Sequence, residues 1–313
     1  MRTARRAVVA VAIGLLTAHS GSAVAQPLPV PWSILDGVRA QLQTPGAAPP
    51  GSNDWSCTPS AAHPNPVVLV HGGFVNRTIN WQTMSPLLAN AGYCVFALTY
   101  GSPGWATPTE WTPGAMRPVT ENARQIGDFV AEVRRATGAG KVDILAESFG
   151  TLSSNHYAKY LGGAASVERI VALSGLWEGT DVMALDRLRE SLRGTGIDTP
   201  LWNLVAATGC EICPQVLRGS DYLTALSRDG VYAPGVRYTN ITSRYDVLLT
   251  PYPTSLVPGP ETTNIVLQDG CEQDFTEHFS IAASPRTVSF VLGALDPAHA
   301  PPVPCELTTP FGR

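Results

Sequence analysis

The stretch KVDILAESFGT (141–151) decides the reading of this chain. A short run suited to a buried strand, Val142 to Leu145, leads into Ala146-Glu147-Ser148-Phe149-Gly150, and the pattern that follows predicts a helix over Ser153–Leu161. A strand that turns at once into a helix forces the serine at the bend into strained backbone geometry, so its near neighbours must be small. Ala146 and Gly150 meet that need. The bend lifts the serine hydroxyl above the strand ends and aims a helix N-terminus at the space before it. The motif departs from G-x-S-x-G at Ala146, and an acid, Glu147, directly precedes the serine. A-x-S-x-G alone is a weak signal; the strand before it and the helix after it give it weight.

A serine hydroxyl is a poor nucleophile unless a base takes its proton. Of the six histidines, His19 lies in the first 25 residues, and His63 and His71 precede the serine. His156 follows it by eight residues and is expected to point down or out from the next helix, while His299 sits in a Pro/Ala-rich tail. His278, in Thr276-Glu277-His278, follows the last predicted strand, where the base belongs in the order Ser, Asp/Glu, His. The orienting acid should close an earlier strand. Asp246 does so, directly after the strand-like VRYTNITS (236–243) and its extension Arg244-Tyr245. Asp269 and Asp274 compete but lie on the same connection as His278. A buried acid at Asp246 would fix the imidazole tautomer and stabilise imidazolium. His71-Gly72-Gly73-Phe74 follows the first core strand, and its turn should present a backbone N–H to an oxyanion beside the N–H of the residue after the serine. Those donors are Gly73 and Phe149, which leaves His71 as a structural residue of the turn.

Working outward, strands are predicted at PVVLVHGG (66–73), CVFALTY (94–100), VDIL (142–145), RIVALSG (169–175), VRYTNITS (236–243) and TTNIVLQD (262–269). Helices are predicted over Ile79–Ala91, Thr120–Ala136, with Ile126, Phe129, Val130 and Val133 on one face and Gly138 as the cap, and Arg286–Leu295. Near-continuous apolar strands alternating with helices argue for a mostly parallel sheet covered on both faces. Residues 26–66, rich in Pro, Gly and Ser, read as an N-terminal arm with one amphipathic turn set, Ile34, Leu35, Val38 and Leu42. Residues 177–234 break the rhythm and read as a cap-like insertion over the C-terminal edge of the sheet, where sites of such folds lie. Its Trp177, Met183, Leu185, Leu188, Leu192, Trp202 and Leu204 are either lining for an apolar acyl pocket or core.

The first 25 of the 313 residues have the order of a secretory signal peptide: arginines at 2, 5 and 6, a 12-residue apolar run from Ala7 to Ala18, and Ala23-Val24-Ala25 before Gln26. The run is short of the roughly 20 residues that a bilayer span needs. Removal of the three arginines takes the formal charge from −4 to −7. Only Lys141 and Lys159 are lysines, so there is no basic footprint for nucleic acid and no cluster for anionic lipid. Six cysteines, an even count in an exported chain, read as three disulfides. In sequence they fall into neighbouring pairs, and the preferred pairing is Cys57–Cys94, Cys210–Cys213 and Cys271–Cys305. A zinc ribbon would need a second ligand pair at similar spacing, and Pro214 directly after Cys213 speaks against a redox helix.

GSNDWSC (51–57), NPVVLVHGGF (65–74), LLANAGYCVFALTYG (87–101), KVDILAESFG (141–150), SRYDVLLTPY (243–252) and NIVLQDGCEQDFTEHFSI (264–281) together resemble the secreted bacterial class 2 lipase/esterase family, of the α/β-hydrolase fold. The resemblance covers most of residues 51–295. It implies hydrolysis of carboxylic esters of apolar acids through Ser148, Asp246 and His278, with no metal and no cofactor. The implied partners are small-molecule or lipid esters, with contact to a lipid interface. Relatives usually have Gly-His-Ser-Gln-Gly at the bend; here Glu147 and Phe149 replace the histidine and glutamine, which puts the shape and charge of the substrate site in question. The turn Ser174-Gly175-Leu176-Trp177 is less polar than in relatives. Acyl transfer to an alcohol would use the same site. A catalytically silent binding protein is the rival that the altered bend favours.

Overall fold

A computed structural model describes residues 26–103, 109–182, 185–192, 194, 196 and 198–312; the first 25 residues, which read from sequence as a signal peptide, Met183 and the side chain of Trp202 lie outside the described residues. Six strands, β1 (Val67–Val70), β2 (Val95–Leu98), β3 (Val142–Glu147), β4 (Val167–Leu173), β5 (Arg237–Thr242) and β6 (Thr262–Val266), form one sheet in the order β2-β1-β3-β4-β5-β6. Every pairing is parallel. The helices are α1 (Ile34–Gln43), α2 (Arg77–Asn80), α3 (Met84–Asn90), α4 (Val119–Thr137), α5 (Phe149–Tyr160), α6 (Leu185–Leu192), α7 (Asp198–Ala207), α8 (Cys213–Val216), α9 (Asp221–Leu226) and α10 (Pro285–Leu295).

The apolar strand runs are explained by burial on two faces. Successive side chains of a strand point to opposite sides. Val68, Val70, Ile144, Ala146, Ile170 and Ala172 join the core that α4 and α5 cover. Val67, Leu69, Leu145, Val171 and Leu173 join the core shared with Trp81 and Met84 and with Val288, Val291 and Leu295 of α10. Helix α4 buries Ile126, Val130 and Val133 and ends at Gly138, whose φ of 71° is left-handed and whose N–H donates to Arg134 O. The helix predicted over Ile79–Ala91 is instead two, α2 and α3, interrupted at Trp81, which is fully buried. Helix α5 starts four residues before the predicted Ser153, directly at the bend.

The chain runs from β1 outward to β2 and then returns to β3 on the other side of β1. The sheet therefore has a switch point between the carboxyl ends of β1 and β3, where such folds open a crevice for ligands. His71-Gly72-Gly73 and Ser148 leave the sheet at those two ends.

The N-terminal arm runs along the outer strand. Asn53 N–H donates to Val95 O, and its side-chain amide donates to Ala97 O and accepts from Ala97 N–H, at 2.7–2.9 Å. These bonds cover an otherwise unpaired sheet edge. Helix α1 forms where the spacing predicts it, but its stripe faces outward. Leu35, Val38 and Leu42 are exposed, whereas Gly37 and Gln41 are buried. The reason is close approach: a Cβ on Gly37 would lie 2.0 Å from Ile79 O, so the helix meets α2 through its one side-chain-free position. Cys57–Cys94, Cys210–Cys213 and Cys271–Cys305 are bonded, as the sequence order suggests, and no cysteine is free among the described residues.

Candidate active site

The bend at Ser148 is built by the strand before it. Ala146 pairs with Val70 and Ala172, and Ser148 N–H donates to Leu173 O at 3.0 Å. Helix α5 begins at the next residue, so the serine has φ 50° and ψ −121°, a region that non-glycine residues rarely occupy. Gly150 makes the turn possible, because a Cβ there would lie 2.6 Å from Val70 O and 2.7 Å from His71 O. Gly150→Ala must push the bend away from β1. It is expected to lower stability by roughly 1–3 kcal/mol and ester turnover with it; a thermal melt and a rate assay on the same sample check both.

Three elements bring the predicted residues together. Ser148 Oγ lies 3.1 Å from His278 Nε2, and His278 Nδ1 lies 2.9 Å from both carboxylate oxygens of Asp246. All three residues are buried. Asp246 is fixed from the other side: Leu248 and Leu249 N–H donate to Oδ1 at 3.0 and 2.6 Å, and Ser174 Oγ donates to Oδ2 at 2.7 Å. Burial alone would raise this carboxyl, but the facing His278 and the donated hydrogen bonds hold it below the usual carboxylate range. Burial likewise opposes charge on His278, yet Asp246, Glu147 and Glu277 together push the imidazole up to about 9. Burial and the nearby Asp246 and Glu277 push Glu147 up to about 7, against the pull of His278.

The competing groups are engaged elsewhere. Asp269 pairs with Arg244, and Asp274 accepts from Thr276 N–H. His71 is buried within the turn. Its Nδ1–H donates to Gly72 O at 2.7 Å and its Nε2 accepts from Tyr100 N–H, and burial lowers it to about 4, so it stays neutral. His156 contacts Tyr222 Oη, and His299 pairs with Asp296.

Ser148 and His278 open on a cavity of about 460 Å³. Gly73 and Phe149 line it beside them, and Phe149 is the first residue of α5, whose N–H has no acceptor within the helix. Most of the wall is apolar: Leu176, Val182, Leu185, Val205, Val216, Leu217, Leu248 and Leu249. Of the possible lining residues named from sequence in 177–234, Leu185 reaches the cavity. Trp177 does not; it is core, and its Nε1–H donates to Asn240 Oδ1 at 2.9 Å. Leu188 and Leu204 face solvent, because the wall is made by their neighbours on the same helices. Sequence reading also missed Ile34 of the arm, Phe74 and Phe279 as lining, and Ser174 as a donor to Asp246. Ser174 does carry a signal, a serine directly after a buried strand.

A profile of the class 2 lipase family matches residues 64–289, most of the chain. The chain belongs to the class 2 lipase family. The family is one of carboxylic-ester hydrolases, and this member has the α/β-hydrolase fold. Among solved structures, Aspergillus fumigatus lipase B is similar at TM-score 0.58 and 17% identity, over 82% of this chain and 57% of that one. The mature form of Bacillus licheniformis lipase BlEst2 is similar at TM-score 0.54 and 16% identity, over 80% of this chain and 99% of that one. The chain thus spans little more than half the length of the Aspergillus protein. At such identities the likeness is one of fold.

Proposed function

We infer that this protein is a serine carboxylic-ester hydrolase acting through Ser148, His278 and Asp246. The observation that carries the reading is the unbroken line from Ser148 Oγ through His278 to Asp246, at 3.1 and 2.9 Å, beside an apolar cavity. Ser148 Oγ bonds to the ester carbonyl carbon while its proton passes to His278 Nε2. The bond to the alcohol oxygen then breaks, and the proton passes from Nε2 to that oxygen. Water repeats the steps on the acyl-enzyme and releases the acid. Gly73 and Phe149 N–H groups hold the oxyanion, as the positions of both beside Ser148 support. The apolar wall favours an aliphatic acyl chain.

In this reading residues 26–313 are one domain, with 26–66 as its arm and 177–234 as a cap that supplies one wall of the acyl cavity. The protein is exported with cleavage near Ala25. Three disulfides fit an oxidising compartment, and no helix among the described residues is long and apolar enough to cross a membrane.

Hydrolysis of p-nitrophenyl esters from acetyl to palmitoyl tests the reading. The expected result is turnover that increases from acetyl to a longer acyl chain as the cavity fills. No turnover across the series by folded protein would sink it, and a silent ester-binding protein would take its place.

A further inference from the structure

The reaction as derived leaves Glu147, a buried ionisable group beside the nucleophile, without a task. Glu147, directly before the nucleophile, has a side chain only 9% exposed and lies on the wall of the cavity beside Ser148. Its Oε1 is 3.3 Å from His278 Nε2, the same nitrogen that lies 3.1 Å from Ser148 Oγ. Two oxygens thus share one nitrogen. The carboxylate has a fitted seat. A Cβ on Gly72 would lie 2.0 Å from Glu147 Oε2, so only glycine leaves room for it, and the Gly72 backbone adds a hydrogen bond to it.

We propose that Glu147 is a positioning residue: it competes with Ser148 Oγ for His278 Nε2 and, by keeping a proton on that nitrogen, sets how alkaline the medium must be before Ser148 is activated. The proposal rests on the reading of His278 as the base for Ser148. Nε2 carries a proton or a lone pair. With a proton it donates to the Glu147 carboxylate, and such charge-assisted bonds are roughly twice as strong as neutral ones. With a lone pair it must accept from Ser148 Oγ–H, and an ionised Glu147 then offers it only a second lone pair. Glu147 therefore favours imidazolium, the form that cannot take the serine proton. In the reaction Glu147 neither gains nor loses a proton; the proton still travels from Oγ to Nε2 to the leaving oxygen.

The charged surroundings all act in one direction. Asp246 after β5 faces Nδ1, Glu147 at the end of β3 faces Nε2, and Glu277 lies next to His278 on its own loop. Tyr100 after β2 also lies near Glu147 and stays protonated, its hydroxyl donating to His71 O. Three carboxyl groups around one buried imidazole account for its raised basicity. A carboxylate within about 4–6 Å of a base shifts it by roughly 1–3 units, so removal of one of the three should be measurable.

The test is a pH titration of the His278 imidazole by NMR on protein labelled with nitrogen-15 histidine, in wild type and Glu147→Gln. The His278 signals are assigned by their loss in His278→Asn. Alongside it, kcat/KM for p-nitrophenyl butyrate is followed against pH. The expected result is a His278 midpoint lower by about one unit or more in Glu147→Gln, with the rising limb of kcat/KM moved to lower pH by the same amount. At neutral pH the variant is then faster by up to about tenfold. Glu147→Asp keeps the charge but withdraws it by one methylene, and should fall between the two; it carries the test if the glutamine variant does not fold. A His278 midpoint unmoved in a folded variant, or a rate lowered equally at every pH, would overturn the proposal. The titration needs no turnover, so a failure of this proposal and the absence of Ser148-dependent hydrolysis are read separately.

Discussion

Ser148→Ala should lower kcat for ester hydrolysis by about 10⁶-fold, the scale of removing the nucleophile from a serine hydrolase. What remains should be roughly 10³–10⁴ over water, from the oxyanion donors and from binding. The loss is expected to be chemical, not structural. Alanine occupies the same backbone as serine, and the bend at φ 50° is imposed by β3, α5 and the bond from residue 148 N–H to Leu173 O. Its thermal midpoint should therefore stay close to wild type. The side chain removed makes a 3.1 Å contact to His278 and leaves the bond between His278 and Asp246 in place. Rates for both proteins on one p-nitrophenyl ester, beside thermal melts, decide the matter. A folded variant within tenfold of wild type would mean that hydrolysis proceeds without Ser148.

The sheet was legible because its signal is local. Fully buried parallel strands must be apolar at every position, and Val67–Val70 and Val95–Leu98 are so. The strand-to-helix bend was legible because few sequences can make it: Gly150 is required by its close approach to Val70 O and His71 O, and Ala146 is a small residue that is fully buried. Asp246 and His278 stood out by their places after β5 and β6, and the structure brings both to Ser148. The wall of the cavity was not legible. It is made by residues from the arm, the first turn after β1, the segment after β4, and the loops after β5 and β6, and their meeting depends on tertiary contacts that no periodicity records. Helix α1 shows the limit of pattern reading. Its stripe of Ile34, Leu35, Val38 and Leu42 has the spacing of a core face, yet Gly37 decides the contact, because helices approach most closely where no side chain intervenes. For Trp177 the pattern left lining and core both open, and tertiary contact decides: its indole N–H is bound to Asn240 inside the core.

Asp246→Asn should lower kcat by about 10⁴-fold while leaving the fold intact. The direction follows from which oxygen is already occupied. Oδ1 accepts from two backbone N–H groups, those of Leu248 and Leu249, so the amide oxygen of asparagine must take that place. The amide nitrogen then takes the place of Oδ2, 2.9 Å from His278 Nδ1 and 2.7 Å from Ser174 Oγ. An N–H now points at Nδ1. The imidazole answers by accepting there and carrying its proton on Nε2, so an N–H faces Ser148 Oγ where a lone pair is needed. Glu147 deepens the loss, because its Oε1, 3.3 Å from Nε2, accepts that proton and favours the wrong tautomer. Part of the missing plateau rate should therefore return in Asp246→Asn combined with Glu147→Gln; the gain is read at the alkaline plateau, where Glu147→Gln alone leaves the rate unchanged and independent effects would give none. Loss of the Asp246 charge also lowers the imidazole basicity, so the acid limb of kcat/KM should move to lower pH as the plateau falls. A full pH profile of kcat/KM for wild type, each single variant and the double variant separates the two effects. A plateau for Asp246→Asn within tenfold of wild type would mean that Asp246 does not set the tautomer of His278.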